Sequence, residues 1–425
     1  MINKVNALLI LGGFIFFQQF LKAQTNQPQH FLHKVGIIDS LYSQELNESR
    51  KIHIQLPRDY DPNKNQKYPV VFILDGEIFL STVNEVQNYY SGGFTPEMVL
   101  VGISNQSNRT RDLTPSTVKV KYGMPFRDES GKAAVFSKFI EKELIPFIEK
   151  KYPVTNFRTL IGHSYGGLFT IYTLIHQPHL FANYLAIDPS LDWDNQQLLR
   201  ESEKILATQK YKNKSLFMSL SGQLHLQNST ITIDNVLQDT TDFTLFARSN
   251  IAFSNLVSKN DKNGLFFKWK FYPNDLHGTI PLPSILDGLI AIFEWYQMES
   301  TDKINSFDTS QEELLRIIKR RAKKLQNHFG YPNPPYPEAL LNMSGYMNMD
   351  MQQYEKAKMY FELAMQYYPQ SANTFDSMAD YYEQQGDYNN AIKYVTKALE
   401  LNATNYYKQR LEKLEQKREE INNEK

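Results

Sequence analysis

Apolar positions along the chain fall into two regimes. Between residues 35 and 297, short strand-like runs alternate with helical spacings, which is the pattern of an α/β domain built on a mostly parallel central sheet. Lys51 to Leu56 alternates Ile52, Ile54 and Leu56 with polar neighbours and predicts a half-exposed edge strand. Val70 to Leu74, Met98 to Ile103, Tyr184 to Ile187 and Ser215 to Leu220 are nearly continuous apolar runs, as strands covered on both faces should be. Phe136, Phe139, Ile140, Leu144, Phe147 and Ile148 recur at helical spacing. Phe267, Trp269 and Phe271 then alternate as a late strand, and Ile285 to Tyr296 closes the block as an apolar-faced helix.

After residue 297 the pattern changes to long charged helices. A basic cluster, Arg316, Lys319, Arg320, Arg321, Lys323 and Lys324, opens a segment at 306–337. It reads as the solvated face of a connecting helix, with an anionic partner as the alternative. Pro332, Pro334, Pro335 and Pro337 end that segment as a stiff, extended hinge. Beyond it, Gly345, Ala357, Phe361 and Ala364 are echoed by Ala379, Ala391, Val395 and Ala398, each pair 34 residues apart. That step, with small residues where helices must approach, resembles the tetratricopeptide repeat. Two repeats over 338–405 and a capping helix over 406–425 are the expectation. Each such unit needs a neighbour to bury its face, so the pair should lean on the charged helix, the α/β block or another chain. Stacked helix pairs present a concave face, which suggests a protein partner or self-association.

The N-terminus carries a different signal. Lys4 precedes an apolar run from Ala7 to Phe17, which Gln18 and Gln19 break short of the ~20 residues a membrane span needs. The expectation is a secretory signal over 1–23 and a periplasmic or secreted protein, with an uncleaved membrane anchor as the alternative.

Composition narrows the chemistry. The 425 residues carry 46 Lys plus Arg and 46 Asp plus Glu, so net charge gives no reason to expect nucleic acid. With no cysteine in the chain, thiolate nucleophiles, disulfides and cysteine metal sites are excluded. Nine histidines show no convincing zinc spacing, and neither a metal nor a cofactor is implied. Chemistry must come from hydroxyls, imidazoles and carboxylates.

Arg158 to Ile161 reads as a buried strand, Gly162-His163-Ser164-Tyr165-Gly166-Gly167 follows, and Leu168 to His176 reads as an apolar helix. This is a G-x-S-x-G nucleophile elbow in its strand–turn–helix context. A Cβ at Gly162 or Gly166 should collide with the neighbouring strand or helix, and the helix N-terminus favours developing negative charge at Ser164. The base that takes the serine proton is best sought at His277, in the loop Pro273 to Gly278 between the late strand and the closing helix. His163 should point away from the nucleophile. Oxyanion donors are expected from the backbone N–H of Tyr165 and from the loop Leu74-Asp75-Gly76-Glu77, where Gly76 suits close approach to a ligand. For the acid, the usual place after Ser215 to Leu220 holds no carboxylate. Asp188, after Tyr184 to Ile187, is the leading candidate; Asp239, Asp242 and a Ser-His dyad oriented by a backbone carbonyl remain open.

With Arg109-Thr110-Arg111-Asp112-Leu113-Thr114-Pro115 and Asp188-Pro189-Ser190-Leu191, these motifs resemble the esterase group of α/β-hydrolases that includes esterase D and the siderophore esterases. The resemblance covers about residues 35–296 and implies serine-dependent hydrolysis of a small-molecule carboxylic ester through Ser164 and His277. The siderophore-esterase branch is the most similar. Arg109 and Arg111 are then candidate contacts for an anionic acid moiety, or partners of Asp112 within their own loop. Other members cleave acetyl or feruloyl carbohydrate esters or transfer acyl groups. A catalytically weak, hydrolase-like binding and scaffold protein is the reading of a different class.

Overall fold

The computed structural model describes residues 36–423, apart from 59, 63–65, 122 and 226. The segment read as a signal, 1–23, lies outside the described residues. Eight strands form the main sheet: β1 (Ile37–Ser43), β2 (Glu48–Gln55), β3 (Tyr68–Leu74), β4 (Val99–Ile103), β5 (Val154–His163), β6 (Asn183–Ile187), β7 (Lys214–Ser221) and β8 (Leu265–Tyr272). Their order is β1-β2-β4-β3-β5-β6-β7-β8. β1 and β2 pair antiparallel, as do β2 and β4, and every other pairing is parallel.

β3 shows how the pattern is spent. All seven of its residues are buried. Val70, Phe72 and Leu74 face one layer with Phe136, Phe139 and Leu168, while Val71 and Ile73 face the other with Leu80, Val83 and Leu289. Side chains alternate across a strand, so a strand covered by helices on both sides has no polar position. The second layer is made by α1 (Gly76–Tyr90) and α5 (Pro281–Ile292). The first holds α2 (Tyr165–His176), α3 (Trp193–Thr208), α4 (Leu245–Lys259) and the helical run from Ala133 to Lys151. In that run Phe136, Ile140, Leu144 and Ile148 step by four, longer than the 3.6-residue turn; a π-type segment at Ile140–Leu144 takes up the excess and keeps all four buried.

Two expectations are corrected here. Lys51 to Leu56 is not the edge: β1 pairs outside it, so Ile52 and Ile54 are buried. β1 escaped the pattern because Ile37, Ile38 and Tyr42 stay exposed on an edge strand. The basic helix, α6 (Gln311–Phe329), is also not simply solvated. Ser310 accepts from the Glu313 N–H at its start and Gly330 ends it at φ 80°, while Leu325 and Phe329 enter the second layer of the α/β block.

The other end of that stripe holds the repeats, α7 (Glu338–Asp350), α8 (Tyr354–Tyr367), α9 (Ala372–Gln384) and α10 (Tyr388–Leu401), followed by α11 (Asn405–Asn423). Leu314 and Ile318 of α6 pack with Leu341, Met359, Tyr360 and Leu363. The array therefore leans on the charged helix, as expected of units that cannot bury a face alone. All eight small and aromatic positions that carry the 34-residue period are buried. A Cβ on Gly345 would lie 2.4 Å from Phe361 Cε1, which is why that crossing tolerates no side chain. Among the described residues no helix is long and apolar enough to cross a membrane.

Candidate active site

After β3 the chain turns to β4 on one side, and β5 joins on the other. Strand ends therefore diverge between β3 and β5 and leave a crevice at their C-terminal edge. The register brings His163 beside Ile187, Ile187 beside Ser219, and Tyr272 beside Ser221. Ser164, Asp188, the 221–224 loop and the His277 loop consequently share one edge.

Ser164 sits between β5 and α2 at φ 60°, ψ −116°, a conformation that costs a non-glycine residue about 1–3 kcal/mol. Its N–H donates to Ile187 O at 3.0 Å, and its own carbonyl accepts from Ser190 N–H and Leu168 N–H. Crowding below the turn falls on Gly162, where a Cβ would lie 2.2 Å from Gly166 O, and on Gly167, 2.9 Å from Pro189 Cα. Gly166 is the correction. A Cβ there would meet nothing nearer than 3.5 Å, so no collision dictates that glycine. Tyr165 opens α2, and a first-turn N–H has no intrahelical acceptor.

His277 Nδ1 lies 2.7 Å from Asp188 Oδ2. The Asp188 side chain is fully buried, and its Oδ1 accepts the Ser221 N–H at 3.0 Å. The carboxylate that meets the histidine thus stands at the end of β6. Asp239, by contrast, is engaged by Thr241 and Thr244. The loop after β7 contributes differently: Gln223 Oε1 accepts the His277 N–H at 3.1 Å, and Gly222 N–H donates to Asp275 O. A Cβ on Gly222 would lie 2.1 Å from Pro273 O, so the two loops meet backbone to backbone.

His163 packs against the histidine loop. Its ring lies 4.6 Å from that of His277, and its Nε2–H donates to the His277 carbonyl at 2.9 Å. Burial, and then the neighbouring His277, push its pKa down to about 4, which keeps the ring uncharged beside the second imidazole at neutral pH. Ser190, which the sequence marked only as part of a motif, places its hydroxyl 3.3 Å from Ser164 Oγ.

Gly76 is the first residue of α1, but its missing side chain makes room for β4: a Cβ would fall 2.3 Å from Gly102 Cα. The strand alone accounts for the missing side chain. Arg111 is likewise corrected as a substrate contact. Its guanidinium is bonded to both oxygens of Glu48 and to Asp112 and is only 13% exposed, so its charge is already met by two carboxylates. Arg109 does not pair with Asp112. It bonds Asp75 and the His163 carbonyl instead. Burial pushes the Asp75 carboxyl above its usual range, against the pull of Arg109.

Tyr165, next to Ser164, meets a lysine and a buried tryptophan. Lys121 Nζ donates to Tyr165 Oη at 3.1 Å and lies 5.2 Å from the Trp193 ring centre, and Tyr165 and Trp193 meet edge to face. A cleft of about 2190 Å³ lies elsewhere, lined by Tyr68 and Val154 at the N-terminal ends of β3 and β5 and by Tyr368 and Tyr407 of the helical region.

Residues 43–244 match the family described as "Putative esterase", and 339–371 and 372–405 each match a tetratricopeptide repeat. The family match stops before His277. Ferri-bacillibactin esterase BesA of Bacillus subtilis is 32% identical over 209 residues, 44% of this chain and 71% of that protein. Siderophore triacetylfusarinine C esterase of Aspergillus fumigatus is 30% identical over 156 residues, 33% of this chain and about half (51%) of that relative. Among solved structures, the IroE-like serine hydrolase from Shewanella oneidensis superposes with a TM-score of 0.63 at 28% identity, covering 78% of this chain and 99% of that one.

Proposed function

The chain belongs to this esterase family and is a carboxylic ester hydrolase, and from that premise we propose that it works as an exported serine esterase on siderophore-type esters. The observation that carries the reading is the buried Asp188 carboxylate on His277 Nδ1 beside the Ser164 elbow. With Nδ1 held, Nε2 is left as the base. Ser164 Oγ turns from Ser190 and attacks the ester carbonyl carbon while its proton passes to His277 Nε2. The N–H groups of Tyr165 and Gly76, each on the first turn of a helix, receive the oxyanion. The C–O bond then breaks and the Nε2 proton goes to the leaving alkoxide. Water attacks the acyl-enzyme through the same base, releasing the acid and restoring the serine.

The substrate class is supported by the names of the relatives and by Lys121 over the Tyr165 ring, a cation and an aromatic face next to Ser164, which suits an acid moiety that is both aromatic and anionic. A panel of a ferric-siderophore lactone, a neutral aryl ester and an acetylated oligosaccharide tests it. The expected result is a kcat/KM at least about tenfold higher for the lactone than for either other ester. Preference for the oligosaccharide would replace this reading with a carbohydrate esterase.

For the repeats we propose a protein-contact role, supported by Met343 and Met347 on α7 and Met351 at its C-cap, which step by four and stay about half exposed. Removing the residues after Phe329 should change the mass in solution or the set of co-purifying proteins. If neither changes, the repeats only cover the hydrolase.

A further inference from the structure

Two backbone arms flank Ser164, and different parts of the chain carry them. One is the N-terminus of α1, reached through Asp75 and Gly76; the other is the N-terminus of α2, reached through His163, Ser164 and Tyr165. No strand hydrogen bond joins the two turns themselves, since the β3–β5 register ends at Ile73 and Ile161. Their spacing beyond the sheet edge has to be set by side chains.

A single guanidinium spans the gap. Arg109 Nε lies 3.0 Å from both Asp75 oxygens, and Arg109 Nη2 donates to the His163 carbonyl at 3.0 Å. The same group sits 5.4 Å from the centre of the Tyr165 ring. It therefore touches the residue before Gly76 and both neighbours of Ser164. Asp75 is held from its other side as well: it adopts φ 51°, its N–H donates to Asn105 Oδ1 at 3.2 Å, and it is 2% exposed. Gly76 is pressed against Gly102 and cannot slide along β4. A Cβ placed on Gly166 would lie 3.6 Å from Asp75 Oδ2, so the space between the carboxylate and the second arm is about one methyl group wide.

We propose that Arg109 and Asp75 form a positioning clamp that sets the separation of the Gly76 and Tyr165 N–H groups, and that Arg109 is not a substrate contact. The inference rests on Ser164 being the nucleophile. Oxyanion donors act only within about 2.7–3.1 Å of the developing charge, and a misplacement of about 1 Å costs on the order of 100-fold in rate. A lysine at 109 keeps the charge but lacks the planar fork that bonds Asp75 and a carbonyl together. Removing Arg109 leaves the Asp75 carboxylate buried without its partner, and removing Asp75 leaves Arg109 on the His163 carbonyl alone with nothing to hold the first arm, so the two losses should be one loss.

Steady-state hydrolysis by the full chain tests this, with a neutral aryl ester and its carboxylate-bearing counterpart as substrates. Arg109→Gln and Asp75→Asn should each lower kcat on both esters about 100-fold with KM within about threefold of wild type. The double variant should lose no more than the worse single, and Arg109→Lys should recover less than about tenfold of the deficit. Thermal melts keep the test open: if Arg109→Gln fails to fold, Arg109→Lys with Asp75→Asn carries the same comparison. An Arg109→Gln variant with normal kcat on the neutral ester and a raised KM for the anionic ester alone overturns the clamp in favour of a substrate contact. So do single losses that multiply to about 10⁴-fold in the double. Undiminished hydrolysis by Ser164→Ala in the same assay removes the nucleophile reading, and the clamp falls with it.

Discussion

Ser164→Ala is expected to cut kcat on a neutral aryl ester by on the order of 10⁶-fold and Asp188→Asn by on the order of 10⁴-fold, with no further loss when the two are combined. The serine value follows from removing the bond-forming atom. The asparagine value follows from how this carboxylate is used. Asp188 accepts on both oxygens, from His277 on one side and from the Ser221 N–H on the other. An asparagine has one acceptor and one donor end. The Ser221 N–H demands the acceptor, which turns the amide NH₂ toward His277 Nδ1 and forces the proton onto Nε2. That is the tautomer that cannot take a proton from Ser164.

Because the two side chains are nearly the same size and the site is fully buried, the fold should survive the exchange. Comparing kcat and melting temperature for wild type, both singles and the double checks all of this. An Asp188→Asn enzyme within tenfold of wild type would mean that the imidazole is oriented without the carboxylate, through the Gln223 and His163 contacts of its backbone.

The same pair shows where sequence reasoning reaches its limit. Ser164 was legible because an elbow needs a local run, and Gly162, the turn and the apolar helix are contiguous. The acid is not a local feature. Ile187 pairs with Ser219, so β6 and β7 end side by side about 4.8 Å apart, and a carboxylate at either end reaches the same histidine loop. The loop after β8 packs at Pro273 on Gly222 of the loop after β7 and brings His277 to the carboxylate at the end of β6. Arg109 was invisible as a clamp for a related reason: its partners, Asp75 and the His163 carbonyl, lie far from it along the chain and meet it only across the crevice. The repeats were legible from their 34-residue period. The helix that carries them was misread because its charges hid an apolar stripe, Leu314, Ile317, Ile318, Leu325 and Phe329, buried along one side.

Arg321 lies on that stripe and should be worth more than any other charge on the helix: Arg321→Ala is expected to destabilise the helical region by roughly 3–5 kcal/mol. The side chain is 3% exposed, and among the described residues no carboxylate lies within ion-pair distance of it. Its charge is met by three carbonyl oxygens, Tyr296 at 2.7 Å and Gln297 at 2.9 Å from the end of the α/β block, and Pro335 at 2.7 Å from the proline segment. Rings of Tyr296 and Tyr336 lie 5.4 Å from the guanidinium. One residue on α6 therefore ties the hydrolase to the segment that launches the repeats. Alanine leaves all three carbonyls without a donor at once. Lysine restores the charge but directs it to fewer of them, so Arg321→Lys should recover about half of the loss. Leu325 and Phe329 remain in place, which keeps the hydrolase layer covered, and Ser164 lies at the opposite end of the parallel strands. The expected signature is split: urea unfolding followed by helical circular dichroism shifts to lower denaturant, protease cuts between 330 and 337, and kcat on an aryl ester stays at the wild-type value. A helical transition within about 0.5 kcal/mol of wild type would show that the apolar stripe alone holds the repeats against the hydrolase.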